Sequence, residues 1–141
     1  MPFSTHRNTG FTLLEMMVVL LIIGLLVSLV APNVMGLGED AKKVTSKSQI
    51  ETLTGALDRY KINNDDYPTT DQGLNALVEK PTVDPIPRNW PEDGYLKKKT
   101  VPKDPWGRDY LYIRPGTRGK IDVYSQGPNK DSDDDDIGNW D

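Results

Sequence analysis

Near the C-terminus, Asn129, Asp131, Asp133 and Asp135 recur at every second position, in a run that also holds Asp134 and Asp136. An amide, several carboxylates and backbone carbonyls at such close spacing suit a hard cation, and favour calcium over zinc. The competing reading is a solvated acidic tail. Two features weigh against it. The run is closed by Ile137-Gly138-Asn139-Trp140, an apolar anchor where a free tail would stay polar. The 141-residue chain also has no cysteine, so a small domain outside the cytoplasm would have no disulfide to staple it, and a metal is the usual substitute.

The second chemically suggestive residue is Glu15. It stands alone near the start of the one membrane-grade stretch, residues 9–31. An ionised carboxylate in lipid costs about 3 kcal/mol or more, so its presence needs a reason. Counted from Phe11, the run is about 21 residues, or roughly 30 Å as a helix, the thickness of a bilayer core. A secretory signal would end in a small-x-small cleavage site, and Leu29-Val30-Ala31 fits poorly because Leu29 is not small. In a plain N-terminal anchor, Glu15 would snorkel to the cytoplasmic interface.

Other totals exclude whole classes of function. The net charge of −4 argues against a nucleic-acid partner, since binding phosphates needs a basic patch. The single histidine, His6, precedes the apolar run, which rules out Ser-His or Cys-His catalysis and a histidine zinc site in the main domain.

The elements that must position these residues follow from periodicity. Ile50, Leu53, Leu57 and Tyr60 form one stripe of a helix over 39–62, the amphipathic continuation of the apolar segment. Asn63-Asn64-Asp65-Asp66 and then Pro68 stop it. Pro32 either loosens this long helix, as does Gly24, or simply ends its membrane half. Thr70 or Asp71 is positioned to cap a short helix reaching Lys80, with Leu74, Leu77 and Val78 inward. Prolines 81, 85, 87, 91, 102 and 105 then prevent regular structure, and Trp90, Tyr95 and Trp106 pin that loop to the core. An aromatic face for carbohydrate or peptide is the alternative for those three rings. Two strands, 109–114 and 120–125, flank a hairpin turn at 115–119, with Ile121 and Val123 alternating against Asp122 and Tyr124.

Gly10-Phe11-Thr12-Leu13-Leu14-Glu15, directly abutting the apolar run, resembles the type IV prepilin signal. The resemblance implies that a prepilin peptidase cuts between Gly10 and Phe11, that Phe11 is N-methylated, and that Glu15 is retained. The new Phe11 amine would be buried when apolar helices pack into a filament. A neighbour's Glu15 would pair with it, because an unpaired buried charge is heavily penalised. Glu15 would thereby set the register between subunits.

The full chain resembles the major pseudopilins of the type II secretion system. Leu57-Asp58-Arg59-Tyr60-Lys61, Tyr67-Pro68-Thr69-Thr70, Gln72-Gly73-Leu74, Asp93-Gly94-Tyr95-Leu96, Asp104-Pro105-Trp106-Gly107 and Asp136-Ile137-Gly138-Asn139-Trp140 carry the likeness. It implies an α+β, pilin-like fold in which a long N-terminal helix packs on a small antiparallel sheet. Residues 1–10 are then a cleaved leader, 11–35 a transmembrane and assembly helix with Pro32 in it, and 36–141 a periplasmic domain. The subunit would sit once through the inner membrane before joining a helical homopolymer, the periplasmic pseudopilus that exports folded proteins across the outer membrane. Minor pseudopilins, an inner-membrane assembly platform and the prepilin peptidase are the implied partners. The resemblance also implies calcium in the C-terminal loop. Asp136 comes first, then Asp133 and Asp135, then Asn129 and Asp131, with backbone oxygen from around Tyr124 or Ser125.

Two other functions compete. A surface type IV pilin shares the N-terminus but usually closes its C-terminal loop with a disulfide. A membrane-anchored periplasmic enzyme would need carboxylates facing across a cleft, whereas these cluster in one tail.

Overall fold

Helix-compatible sequence with a single proline runs from Leu13 to the Asn-Asn-Asp-Asp stop and makes one long element. The computed structural model describes Met1 and residues 10–141, with backbone alone at 31–35. The leader residues 2–9, His6 among them, lie outside the described residues, as does the side chain of Pro32. Helix α1 runs Leu13–Asn64. It continues across position 32, so the reading in which Pro32 ends the membrane half does not hold. Proline lacks the N–H that would bond the carbonyl of Ser28, but one missing bond inside a long helix need not stop it.

Two compact units divide the chain, Met1–Gly38 and Glu39–Asp141. In the first, Leu13–Val30 has a mean hydropathy of 2.9 and none of its residues is buried. A helix apolar on all sides and bare on all sides is stable only in an apolar surrounding, lipid or other helices.

In the second unit the stripe is core. Ile50, Leu53, Ala56, Leu57 and Tyr60 are buried against Leu74, Leu77, Tyr95, Tyr110, Tyr112, Ile121, Val123 and Ile137. Helix α1 ends where Asp65 takes a left-handed conformation, φ 70°, at the position just past the last turn. The short helix expected up to Lys80 is only a 3-10 turn, Leu74–Leu77. Thr70 does not cap it: its hydroxyl donates to the Arg114 carbonyl at 2.8 Å, tying this loop to the sheet. Leu74 and Leu77 do point inward, while Val78 is half-buried.

Strands β1 (Leu111–Ile113), β2 (Asp122–Ser125) and β3 (Ile137–Gly138) form an antiparallel sheet in the order β1-β2-β3. Tyr112 pairs with Val123, and Ser125 with Ile137. The third strand is an addition to the two expected. It is prolonged by Asn139, whose amide side chain accepts from the Val123 N–H at 3.1 Å and donates to the Ile121 carbonyl at 3.0 Å, as backbone would.

The irregular segment is held by its aromatics, as expected. Tyr95 is buried, and Trp90 and Trp106 pack on the core. Tyr95 meets Tyr60 at 5.3 Å and Trp90 edge-on at 6.3 Å. Turned inward, these rings form no exposed aromatic face. Gly94, at φ 72°, permits this: a Cβ there would come within 2.8 Å of the Leu77 carbonyl, which accepts the Tyr95 N–H at 2.7 Å.

Candidate functional site

At the N-terminus, the Thr12 N–H donates to Glu15 Oε2 at 3.0 Å, and the Glu15 N–H donates to Thr12 Oγ1 at 3.2 Å. This reciprocal pair is a capping box, satisfying backbone donors that a helix start leaves bare. Its signature, Thr-x-x-Glu before an apolar run, is present in the sequence. The carboxylate therefore has a partner within its own chain, two residues from Gly10, at the mouth of a bare apolar helix. Phe11 is 84% exposed.

The acidic loop leaves the sheet at Ser125 and returns at Ile137, and these two residues are partners in the β2–β3 ladder. Both loop ends are thus fixed by one residue pair. Gly127 starts the loop at φ 62°, and a Cβ there would collide with the Asp135 carbonyl. Inside the loop, Asp133–Asp135 form a 3-10 turn whose N-cap is Ser132, accepting from the Asp134 N–H at 3.2 Å. Asp135 accepts from the Asn129 N–H at 3.2 Å, and Asn129 Oδ1 from the Asp131 N–H at 3.3 Å.

Below the loop is a buried polar brace. The Ser125 hydroxyl donates to Asp104 Oδ2 at 2.7 Å and accepts from the Gly127 N–H at 3.1 Å. Asp104 also accepts from the Trp106 and Arg108 N–H groups at 3.1 and 2.7 Å. The Arg108 guanidinium donates to the Gly127 carbonyl. Trp106 Nε1 reaches α1 itself, donating to Glu39 Oε2 at 3.1 Å. The Asp-Pro-Trp-Gly motif is therefore the foot on which the loop stands.

Electrostatically the loop carries an excess of negative charge, five aspartates between 131 and 136 against Lys130 and the neighbouring Arg118. Burial raises the Asp136 carboxyl above its usual range, and the charges of Asp133 and Asp135 raise it further, opposed by Arg118. Burial likewise raises Tyr124, helped by Asp136 and Asp133. Arg118 lies 4.1 Å over the Trp140 ring, on the flank of the cluster.

The donor chemistry of Asp133, Asp135, Asp136 and Asn129 fits a hard dication. Among the described residues, though, no three acidic or histidine side chains converge on one point. Asp135 Oδ2 and Asn129 Oδ1 each already accept a loop N–H, and Tyr124 and Ser125 sit in the ladder. An ion held by Asp135 Oδ2 or Asn129 Oδ1 would share those oxygens with the loop N–H groups.

Asp122 departs from the expected alternation. It is 2% exposed, and accepts from the Thr117 N–H at 2.6 Å, the Thr117 hydroxyl at 2.8 Å and the Arg118 N–H at 3.1 Å. Burial pushes its carboxyl up, yet these donors together hold it below the usual range. It organises the hairpin turn that presents Arg118.

Two family profiles match the chain. One, described as type II secretion system protein G, covers residues 33–140, and another, the prokaryotic N-terminal methylation motif, covers residues 5–31. The type II secretion system core protein G of Dickeya chrysanthemi is 56% identical over 136 residues, 96% of this chain and 88% of that protein. The protein of the same description from Pseudomonas aeruginosa PAO1 is 52% identical over 140 residues, 96% and 97% of the two chains. Among solved structures, the major pseudopilin of the type 2 secretion system of enterohaemorrhagic Escherichia coli superposes with a TM-score of 0.68. It is 47% identical, and the match covers 77% of this chain and 95% of that one.

Proposed function

The chain belongs to the type II secretion system protein G family, and from that membership we propose how its two ends serve a pseudopilus subunit. It is a structural subunit rather than an enzyme, and it acts by polymerising with copies of itself. Prepilin peptidase removes residues 1–10, and Phe11 is N-methylated. Until assembly, residues 11–35 hold the subunit once through the inner membrane, with the C-terminal domain in the periplasm. An inner-membrane platform and minor pseudopilins act on it there, and the growing filament moves folded proteins across the outer membrane.

One observation carries this reading: an apolar helix bare on every side stands directly behind Gly10-Phe11 and runs on into a folded domain. Such a surface is satisfied by lipid before assembly and by like helices afterwards. Glu15 gives up its bond to Thr12, or shares it, to meet the amine of a neighbour's Phe11. The C-terminal loop takes calcium, with Asp136, Asp133 and Asp135 as the charged donors and Asn129 and Asp131 beside them. The crowding of the Asp133 and Asp135 charges on the half-buried Asp136 supports this. The cation would neutralise the loop and fix its shape for contacts between subunits.

The test is to co-express the full chain with the peptidase and the assembly platform and measure the mass of the membrane-extracted subunit. A loss of residues 1–10 with one added methyl, together with periplasmic filaments, is expected. An uncut chain that forms no filaments would overturn the reading.

A further inference from the structure

Directly after the Asp93-Gly94-Tyr95-Leu96 motif come Lys97, Lys98 and Lys99, and no role described above uses them. All three are exposed. Lys97 and Lys98 border an open groove of about 650 Å³ with Leu96, Val101 and Pro102 among its apolar lining. Arg59 adds a further cation to its rim, and its guanidinium is fixed by a 2.6 Å bond to the Tyr95 carbonyl. The groove is thus an apolar trough with an anchored basic edge, on a chain whose net charge is −4.

The compensating acid lies elsewhere in the domain. Asp131, Asp133 and Asp134 are exposed, and Asp135 and Asp136 stand beside them. A bound dication would offset two of these charges and leave the loop acidic.

The two patches sit at different heights along α1. The groove is lined by α1 residues from Gln49 to Arg59. The acidic loop stands on the 104–108 foot, which reaches α1 at Glu39. From Glu39 it is about 15 Å of helix to Gln49, the near end of the groove, and about 30 Å to Arg59, against a screening length of about 8 Å at physiological salt. Among the described residues no ion pair joins the two patches within one subunit. A head-to-tail repeat brings them together.

We propose that the acidic loop of one subunit docks on the Lys97–Lys98–Arg59 groove of an axially neighbouring copy. This rests on the filament reading above. The contact is heterologous, two different patches on identical chains, which is the kind that propagates into an open helix. Opposite charges at the two ends also set polarity, because head-to-head stacking would oppose like charges.

The chain has no cysteine, which makes the test direct. Full-length Lys98→Cys/Asp134→Cys is assembled into filaments and mildly oxidised, alongside each single variant. A ladder of covalent multimers from the double variant, absent from both singles, is the expected result. Filaments whose double variant stays monomeric on a denaturing gel overturn the proposal, as does efficient dimerisation of Lys98→Cys alone. If a cysteine blocks assembly, charge reversal is read instead. Lys98→Glu is expected to lose filaments and Lys98→Glu/Asp134→Lys to regain them. No loss, or loss without recovery, overturns the contact. Failure of the unmodified chain to form filaments under the same conditions strikes the filament reading instead.

Discussion

The Arg108 guanidinium donates to the carbonyl of Gly127, at the point where the acidic loop leaves the sheet. Asp104, buried at 4% exposure, stands 3.9 Å from the same guanidinium. One side chain thus satisfies a loop carbonyl and neutralises a buried carboxylate. Arg108 Nε has no hydrogen-bond partner, so the brace holds without full satisfaction.

Replacing Arg108 with Met keeps much of the stem packing but leaves the buried Asp104 without its cation and the Gly127 carbonyl without its donor. Removing one partner of a buried charged pair exposes the other's desolvation cost, on the order of 3 kcal/mol. Urea unfolding of the Glu39–Asp141 unit should therefore show a lower midpoint with an unchanged slope. A midpoint within error of the parent would mean that the brace contributes nothing to stability.

The Tyr67 phenol has been driven up to about 12 by burial, by its 2.8 Å hydrogen bond to Asp58, and by the Asp58 and Asp66 charges. Tyr112, whose hydroxyl donates to the Pro68 carbonyl at 2.7 Å, is shifted the same way by burial. A group whose folded pKa is raised lends stability that is complete below its unfolded value, near 10 for tyrosine, and lost as pH rises through the folded one. The domain should hold its melting temperature to about pH 10 and lose it steeply towards pH 12. Tyr67→Phe should start about 1 kcal/mol lower, having lost the Asp58 bond, and fall less steeply over that window. Parallel curves for parent and variant would place the alkaline transition elsewhere.

What was legible in the sequence followed strict periodicity or chemical crowding. The Ile50-Leu53-Leu57-Tyr60 stripe repeats at helical spacing, and every member is buried. The acidic loop announced itself by composition. Its arrangement did not, because its support comes from residues far away in sequence. Trp106 to Glu39 spans 67 positions, and no local pattern encodes it. Strand β3 was missed because two residues, Ile137–Gly138, are too few to alternate, and part of its pairing is made by the Asn139 side chain. Alternation sets Asp122 on the face opposite Val123 but says nothing of a hairpin turn folding over that face.

Glu15 has two candidate jobs, and glutamine separates them. In Glu15→Gln the amide oxygen still accepts from the Thr12 N–H, so the cap survives while the charge is gone. Glu15→Ala loses both. Cleavage after Gly10 should persist in each. Filament assembly should fail in both if the carboxylate pairs with a neighbour's Phe11 amine. Normal filaments from Glu15→Gln would show that the helix cap suffices and would sink the pairing argument.

Calcium in the C-terminal loop is tested by melting the Glu39–Asp141 unit with calcium, with magnesium and with a chelator. A site that binds only the folded state adds RT ln(1 + [L]/Kd), about 2.7 kcal/mol at a hundredfold excess over Kd. For a unit of this size the midpoint should rise on the order of 10 °C or more. Magnesium, smaller and slower to shed water, should give little of it. Gly127→Ala is the control that ties the effect to this loop. Its Cβ would press on the Asp135 carbonyl, and its φ of 62° is strained for alanine, so the loop must shift where the ligands lie. The variant should melt slightly lower in chelator and lose most of the calcium response. Equal midpoints in calcium and chelator for the parent would return the aspartates to a solvated acidic loop. A calcium response that survives Gly127→Ala intact would move the ion to other donors.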